Sequence, residues 1–499
     1  MRANQPGYIV LLAVLAAFLH CGAPPPRDTL RIGIGSGLVS LDPHTQDEEV
    51  TVSVLANLYE GLVGFDANLK LGPCLAAGYS NPDELTWRFR LRPGARFHDG
   101  RPLLARDVVY SLERARGHPQ SVFRSLLAVV EKIEEVTATE VRIVTRRPQP
   151  VLIKILTAVA ILPRGFEPGD SAVGTGPYKL ASVQIDREVA LEAFPGYWGS
   201  PPHFRRAVFR VVPQDRWRGH ELIGGRLDVD AEPSLQMRVI IGKDPDLRLV
   251  TQEGASVTML GMVVGGEPAD NPLSDRRVRQ AISLALDRRE LVRSLFNWYA
   301  TPASQLVPRN IFGFEPDLPV ITPDLPKAQA LLQEAGFGQG IRLRLDHSNA
   351  TGPEGEMIRR QLAEAGIGVT PNPVDWEELY SRISTGESRF HLVGYSTTTA
   401  DVSELFNSLI HTNEPGSGYG LENTSGYSNP EVDRLIEAAD REYSPQRRQR
   451  ILQDAMRLVM EDLPLIPLHV WSQSYGLRRD LEWTPRADAL ILAAEFRPR

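Results

Sequence analysis

The sequence predicts an α/β protein divided into several lobes, and three observations lead there. A chain of 499 residues is too long for one ordinary core and implies roughly two to four domains. Between positions 327 and 374 helical and strand periods alternate: 327–335 and 354–365 read as helices, 341–347 and 369–374 as strands. That is the pattern of a sheet carrying helices on its faces. Residues 85–116 add a separate sheet-to-helix unit. Trp87, Phe89 and Leu91 alternate with Arg88, Arg90 and Arg92, the two-residue period of a strand with one buried face.

The N-terminus reads as a secretory signal. Arg2 precedes an apolar run over 9–19 that is too short for a membrane span but has the length of a signal core. Residues 1–20 are the expected signal and 21–28 a Pro-containing tether. Cys21 stands directly after the run, and its lipidation is expected. His20 occupies the position where lipoproteins usually have Gly or Ala, and a cleaved, unlipidated protein is the alternative. The second cysteine, Cys74, reads as a small buried apolar residue.

A strand over 29–35 follows, ending in Gly33, Gly35 and Gly37. A strand followed by Gly-x-Gly suggests a dinucleotide loop, but Ser40 replaces the third glycine and Leu41-Asp42-Pro43 continues as a loop where the phosphate-binding helix would begin. Residues 50–62 read as a helix with Val52, Leu55, Ala56, Tyr59 and Leu62 on one stripe. In the 85–116 unit, Pro93-Gly94 is a turn, 96–98 is expected to return as a second strand, and Asp99-Gly100 makes a tight turn before a helix over 105–116. Residues 131–145 alternate around a Thr-Ala-Thr-Glu turn as two more strands. The run Gly174-Thr175-Gly176-Pro177-Tyr178 lacks the Gly-Lys-Ser/Thr of a nucleotide loop, so its glycines are expected to serve close backbone packing. A strand is expected over 204–212, a Gly- and Pro-rich crossing into another lobe over 265–272, a helix carrying Val278, Ala281, Ile282, Leu284 and Ala285, a long ordered loop over 300–326, and a helix over 444–463.

Several classes of chemistry are disfavoured. A net charge of −7 offers no general attraction to nucleic acid. No Gly-x-Ser-x-Gly, His-Glu-x-x-His or Cys-x-x-Cys occurs, and neither a catalytic residue nor a metal or other cofactor is expected. The ten histidines are scattered; His347 and His411 are the first candidates if a nickel chelate is the ligand.

The motifs identify a resemblance. W-x-F-x-L-R-x-G-x-x-F-H-D-G-x-P at Trp87 to Pro102, followed by A-x-D-V at Ala105 to Val108, resembles the extracellular solute-binding proteins of peptide and nickel ABC importers. Tyr59-Glu60-Gly61-Leu62, the G-T-G-P-Y run, Tyr197-Trp198, D-R-R-V-R-Q-A-I from Asp275 and Tyr427-Ser428-Asn429-Pro430 are similar to elements of the same family. The resemblance implies a two-lobed periplasmic binding protein fold (type II, cluster C-like) with an additional small α+β domain, mixed sheets and a hinge-closing cleft. It implies lobe I from 29–46, 172–266 and 470–499, the small domain from 47–171, and lobe III from 267–469. It also implies a monomeric, non-enzymatic carrier that delivers a small ligand to a membrane permease, with peptide the leading substrate. An oligosaccharide or a nickel chelate, or a sensor or chaperone without a transporter, stands as the alternative.

By the same resemblance, Ser36, Gly37 and Leu38 border the ligand from lobe I, and Trp376 offers an aromatic wall. The run Gly394 to Phe406 matches a loop that in peptide binders reads G-W-x-x-D followed by D-P, the first Asp holding the peptide ammonium. Here Tyr395 replaces Trp, Ser396 and Thr397 follow, Thr398 occupies the position of that Asp, and Asp401 stands at the later D-P with Val402 for Pro. Thr398 offers a neutral hydroxyl, which suits a sugar, an amide or a blocked ligand better than a free amino terminus. Asp401 either takes over the ammonium or caps a helix beginning near Ser403.

Overall fold

The computed structural model describes residues 28–169, 171–414, 416 and 418–499, so the signal segment and Cys21 lie outside the described residues. The three largest hydrophobic cores organise it. Leu30, Ile32 and Ile34 of the first strand pack with Tyr178, Phe209, Trp483 and Phe496. Trp87, Phe89 and Leu91 pack with Val108, Leu112, Val141 and Ile143. Met259, Ile282, Leu345, Ile358, Phe406 and Met456 belong to the third.

The second core lies between a four-stranded antiparallel sheet, ordered Ala76–Asp83, Thr86–Leu91, Glu140–Thr145, Val130–Thr137, and the helix Ala105–Gly117. Two strands around the Thr-Ala-Thr-Glu turn form as expected. The return strand over 96–98 does not: Arg96 makes only an isolated bridge to Pro102, because both edges of Thr86–Leu91 are already occupied by Ala76–Asp83 and Glu140–Thr145. The helix expected over 50–62 is also cut short, to Glu49–Leu55. Tertiary partners take the carbonyls it would need, since Tyr178 N–H donates to Asn57 O, Gly176 N–H to Leu58 O and Ile161 N–H to Glu60 O. A Cβ on Gly174 or Gly176 would collide with the carbonyls of Leu58 and Asn57, which is the close backbone approach expected of the G-T-G-P-Y run. Val54, Leu55, Leu58 and Tyr59 consequently pack in the core of the first strand, although they fall within the 47–171 segment.

One continuous sheet joins the other two cores. Its order runs Ile367–Val374, Ile341–Ser348, Phe390–Ser396, Leu247–Met262, Leu465–Arg478, Val229–Ala231, Thr29–Ile34, Arg206–Val211, Glu188–Ala193, Tyr178–Gln184. The two central strands, Leu247–Met262 and Leu465–Arg478, are 16 and 14 residues long and belong to both halves. Their pairing shifts register between Glu253 and Val257, and such an irregularity bends a strand and raises its twist. The bend falls where one lobe gives way to the other.

Candidate ligand-binding cleft

Strand direction and register set where the cleft lies. Val229–Ala231 is antiparallel to Leu465–Arg478 with Ala231 opposite Tyr475, and Val250 of Leu247–Met262 faces that same Tyr475. Ala231 therefore ends level with Val250, and Ile34 ends beside it because Thr29–Ile34 pairs in parallel, Gly33 opposite Asp230. From the other side, Phe390–Ser396 is antiparallel to Leu247–Met262 and brings Ser396 level with Ser256. The carboxyl ends of the two sets of strands thus point at each other across a span of six residues of the crossover strand, about 20 Å at ~3.3 Å per residue. Carboxyl ends of strands in open α/β sheets are where ligands bind.

The lobe I wall begins at the loop after the first strand. Ser36 is exposed and Gly37 half-buried. A Cβ on Gly37 would meet the backbone of Ile185 and Asp186, so the loop lies tightly on that hairpin, and Leu38 N–H donates to Ile185 O at 3.3 Å. The side chain of Leu38 turns inward to the core and presents no surface. Beyond the neighbouring strand Glu232 takes a left-handed conformation with φ of 57°. Burial, and then the charges of Glu232 and Glu48, push the Glu49 carboxyl up to about 7. Guanidinium groups stand there too: Arg218 donates to Glu232 O at 2.9 Å, and Arg238 lies near enough to feel the Glu232 charge.

The lobe III wall is the segment after Phe390–Ser396. Ile341–Ser348 pairs in parallel with Ile367–Val374 and with Phe390–Ser396, so Trp376 also stands beyond a strand end on this side. Trp376 is 55% exposed in the first turn of the helix Trp376–Ser384, which Asp375 caps, and its ring lies 6.4 Å from that of Tyr380. It joins none of the hydrophobic cores. Tyr395 is half-buried, and burial followed by the Glu404 charge pushes its phenol up. Ser396 is exposed, whereas Thr397 is buried with no hydrogen-bond partner for its Oγ1.

The two residues that follow are tied to a carboxylate not anticipated from the motif. Thr398 N–H and O–H donate to Glu404 at 3.0 and 3.1 Å, and Thr399 N–H and O–H donate to it at 3.0 and 2.8 Å. Asp401 has another role. It is fully buried; it caps the helix Val402–Leu405 through Ser403 N–H at 3.0 Å and accepts from Arg448 at 2.6 and 3.0 Å. Lys154, from the segment of the small domain, donates to Asp401 at 2.8 Å and to Ala400 O at 3.3 Å, with its ammonium 4.3 Å from the centre of the Phe312 ring. Burial alone would raise the Asp401 carboxyl; the two cations outweigh it and hold it far below the usual range. The helix-capping reading of Asp401 is the one the geometry fits, and its charge is already matched inside the protein.

The histidine candidates are structural. His411 is buried, its ring stacked 4.4 Å from Tyr419, and its Nδ1 and Nε2 lie 3.7 and 3.6 Å from Asp433 and Glu437. His347 is buried with Nδ1 2.9 Å from Ser348 O. Among the described residues no group of three or more His, Cys, Asp or Glu is placed to hold a metal. Cys74 is half-buried, and its thiol donates to Glu60, which also accepts from Tyr197 and Trp198 at 2.9 Å each. The Tyr-Glu-Gly-Leu and Tyr-Trp elements therefore hold each other.

A two-lobed sheet with facing strand ends and two shared crossover strands is accompanied by a family match. Residues 70–417 match the family described as bacterial extracellular solute-binding proteins, family 5 Middle. The chain belongs to this family. The glutathione-binding protein GsiB of Salmonella typhi is 29% identical over 480 residues, covering 92% of this chain and 91% of that protein. HbpA2 from Haemophilus parasuis superposes with a TM-score of 0.86 at 22% identity, over 94% of this chain and all of that one. MoaA from A. tumefacien R10, in complex with mannopinic acid, superposes with a TM-score of 0.73 at 25% identity, over 95% of this chain and 100% of that one. This family 5 protein is an extracytoplasmic solute-binding protein of an ABC importer, with the type II periplasmic binding fold, and it is not an enzyme. No helix among the described residues is long and apolar enough to cross a membrane.

Proposed function

We propose that the protein captures a short peptide or peptide-like solute between its lobes and hands it to the permease. The observation that carries this reading is the pair of facing strand ends, about 20 Å apart along the crossover strand, with polar loops on both walls. A span of that order accommodates a few residues of extended chain, and the likeness to the glutathione-binding protein GsiB favours a ligand of that size. Ser36, Gly37 and the backbone at Leu38 meet the ligand from lobe I, while Trp376, Tyr395, Ser396, Thr397 and Thr398 meet it from lobe III. Asp401 supports the loop from behind and does not touch the ligand. Closure of the lobes I (29–46, 172–266, 470–499) and III (267–469) about the bend at Glu253 to Val257 encloses the solute. The small domain, 47–171, stays attached to both. The mature protein is a monomer held at the membrane by a lipid on Cys21, after removal of residues 1–20.

The likeness to MoaA with mannopinic acid favours a second reading, a non-peptide polar solute. Native mass spectrometry of the freshly purified protein, followed by thermal-shift titration with glutathione, the dipeptide Met-Leu, N-acetyl-Met-Leu, mannopinic acid, a trisaccharide and nickel-histidine, separates the two. A ligand at 100 times its Kd stabilises by about 2.7 kcal/mol, a readily visible shift. Stabilisation by mannopinic acid, the trisaccharide or the nickel chelate with no response to any of the three peptides would sink the peptide reading.

A further inference from the structure

The small domain carries a charge pattern of its own, away from the cleft. From Ala76 to Arg147 it holds 13 Lys and Arg against 9 Asp and Glu, in a chain whose net charge is −7. Three of those arginines come from separate elements and border one open hollow of about 750 Å³. Arg116 stands in the last turn of the helix Ala105–Gly117, Arg124 lies in the turns that follow, and Arg146 comes directly after the strand Glu140–Thr145. Ser125 adds a hydroxyl to the same hollow.

Exposed arginines elsewhere in the chain are commonly held by a carboxylate a few residues away, as Arg277 is by Asp275, Arg359 by Glu356 and Arg434 by Glu431. The hollow departs from this. Arg116 pairs with Glu113 and is braced by Val130 O at 2.9 Å, while Arg124 donates to Pro119 O at 3.3 Å. Among the described residues no ion pair reaches Arg124 or Arg146, and Glu131 supplies the carboxylate on the rim. Three guanidinium groups therefore face two carboxylates, one of them already engaged by Arg116. A guanidinium offers a planar fork that matches the oxygens of a phosphate, and a fork already steered by backbone carbonyls loses less freedom on binding one.

A second, smaller hollow of about 170 Å³ is bordered by Arg101, Arg106 and Arg164. Arg101 pairs with Asp99, whereas Arg106 and Arg164 again have no ion pair among the described residues. Arg106 and Arg116 stand at opposite ends of one helix, ten residues and about 15 Å apart. A free phosphate fills one hollow, but two arginine-bordered hollows at that spacing suit a surface that presents phosphates repeatedly. Lipid headgroups do so, and clustered cationic side chains are drawn to them. We propose that the hollow of Arg116, Arg124 and Arg146 binds the phosphate group of an anionic lipid headgroup and turns this face of the small domain toward the membrane.

The experiment follows amide hydrogen exchange over 118–131 in three full-length proteins: the wild type, the double variant Arg124→Gln, Arg146→Gln, and Arg90→Gln. Arg90 is an exposed arginine of the same domain on the outer face of its strand and serves as the control. Each protein is mixed, at one ionic strength, with vesicles of phosphatidylcholine, with vesicles of phosphatidylcholine and phosphatidylglycerol, or with inorganic phosphate. A lipid on Cys21 would bring the protein to both kinds of vesicle alike and leaves the comparison intact. The expected result is several-fold slower exchange on the phosphatidylglycerol vesicles in the wild type and Arg90→Gln, its loss in the double variant at unchanged stability in urea, and its weakening by added salt. Equal exchange on the two kinds of vesicle overturns the proposal, as does slowing that survives in the double variant or is lost equally in Arg90→Gln. Slowing by inorganic phosphate with none on phosphatidylglycerol vesicles overturns the lipid assignment and makes the hollow a site for free phosphate.

Discussion

Asp401 and Glu404 are the same chemistry in the same loop, and the fold treats them in opposite ways. Asp401 is sealed from solvent between a guanidinium and an ammonium drawn from distant parts of the chain. Glu404 remains half-buried and, among the described residues, its carboxylate is braced by its own loop. A buried carboxylate with two cations fastens distant parts of the structure together; a carboxylate fixed by neutral donors of its own loop braces that loop alone. The contrast also changes the standing of the small domain. Lys154 links it to the loop after Ser396, Gln149 N–H donates to Tyr443 OH at 2.9 Å, and Tyr443 OH donates to Glu84 O at 2.7 Å.

The largest effect should come from Asp401→Asn, which leaves Arg448 and Lys154 buried without their counter-charge. A loss of about 3–5 kcal/mol is expected in urea unfolding, whereas Glu404→Gln should cost less than about 1 kcal/mol; equal costs would erase the distinction. Because the folded Asp401 carboxyl is held below its unfolded value, its contribution is complete above about pH 4 and disappears only as pH falls further. The gap between the wild type and Asp401→Asn should therefore narrow only in strong acid.

A histidine on the strand feeding the loop isolates acid sensitivity of a different origin. Burial lowers His391 to about 4. The unfolded chain thus binds more protons between pH 6.5 and 4, and acidification through that window destabilises the folded protein. Relative to His391→Asn, the wild type should lose up to about 3 kcal/mol across the window. The same slope in Asp401→Asn would show that Asp401 has no part in it, and a flat difference between the wild type and His391→Asn would contradict the assignment.

Lys154→Met should cost about 1–2 kcal/mol, less than Asp401→Asn, since Asp401 keeps Arg448. Faster amide hydrogen exchange at 397–401 would show that the small domain steadies the loop, and unchanged exchange there would confine Lys154 to general stability. The smallest effect belongs to Thr399→Val, which removes one of the four bonds to Glu404. A loss of about 1 kcal/mol of stability in urea unfolding is expected, and an unchanged stability would mean that this hydroxyl adds nothing to the bracing of Glu404.

Much was legible because it is local. The alternation of Trp87, Phe89 and Leu91, the Thr-Ala-Thr-Glu turn, the close packing of Gly174 and Gly176, and the Asp401 cap two residues before Ser403 all rest on spacings of a few residues. The 16-residue crossover strand was not legible. Its middle reads Thr-Gln-Glu-Gly-Ala-Ser, polar because it spans between two lobes and pairs across a bend, so it shows neither an alternating nor a continuous apolar pattern. Glu404 had one readable signal, its place three residues after a capping Asp, but nothing in that spacing says that the carboxylate would reach back to Thr398 and Thr399.

By itself the sequence determined the family and the class of fold, because motifs and periodicities are carried by neighbouring residues. Only the tertiary structure decided which charge in the loop after Ser396 is matched by cations and which is held by neutral donors. Lys154 stands 247 residues from Asp401 and Arg448 stands 47 away, and no local pattern reports that burial will bring three charges to one point while leaving Glu404 to neutral donors.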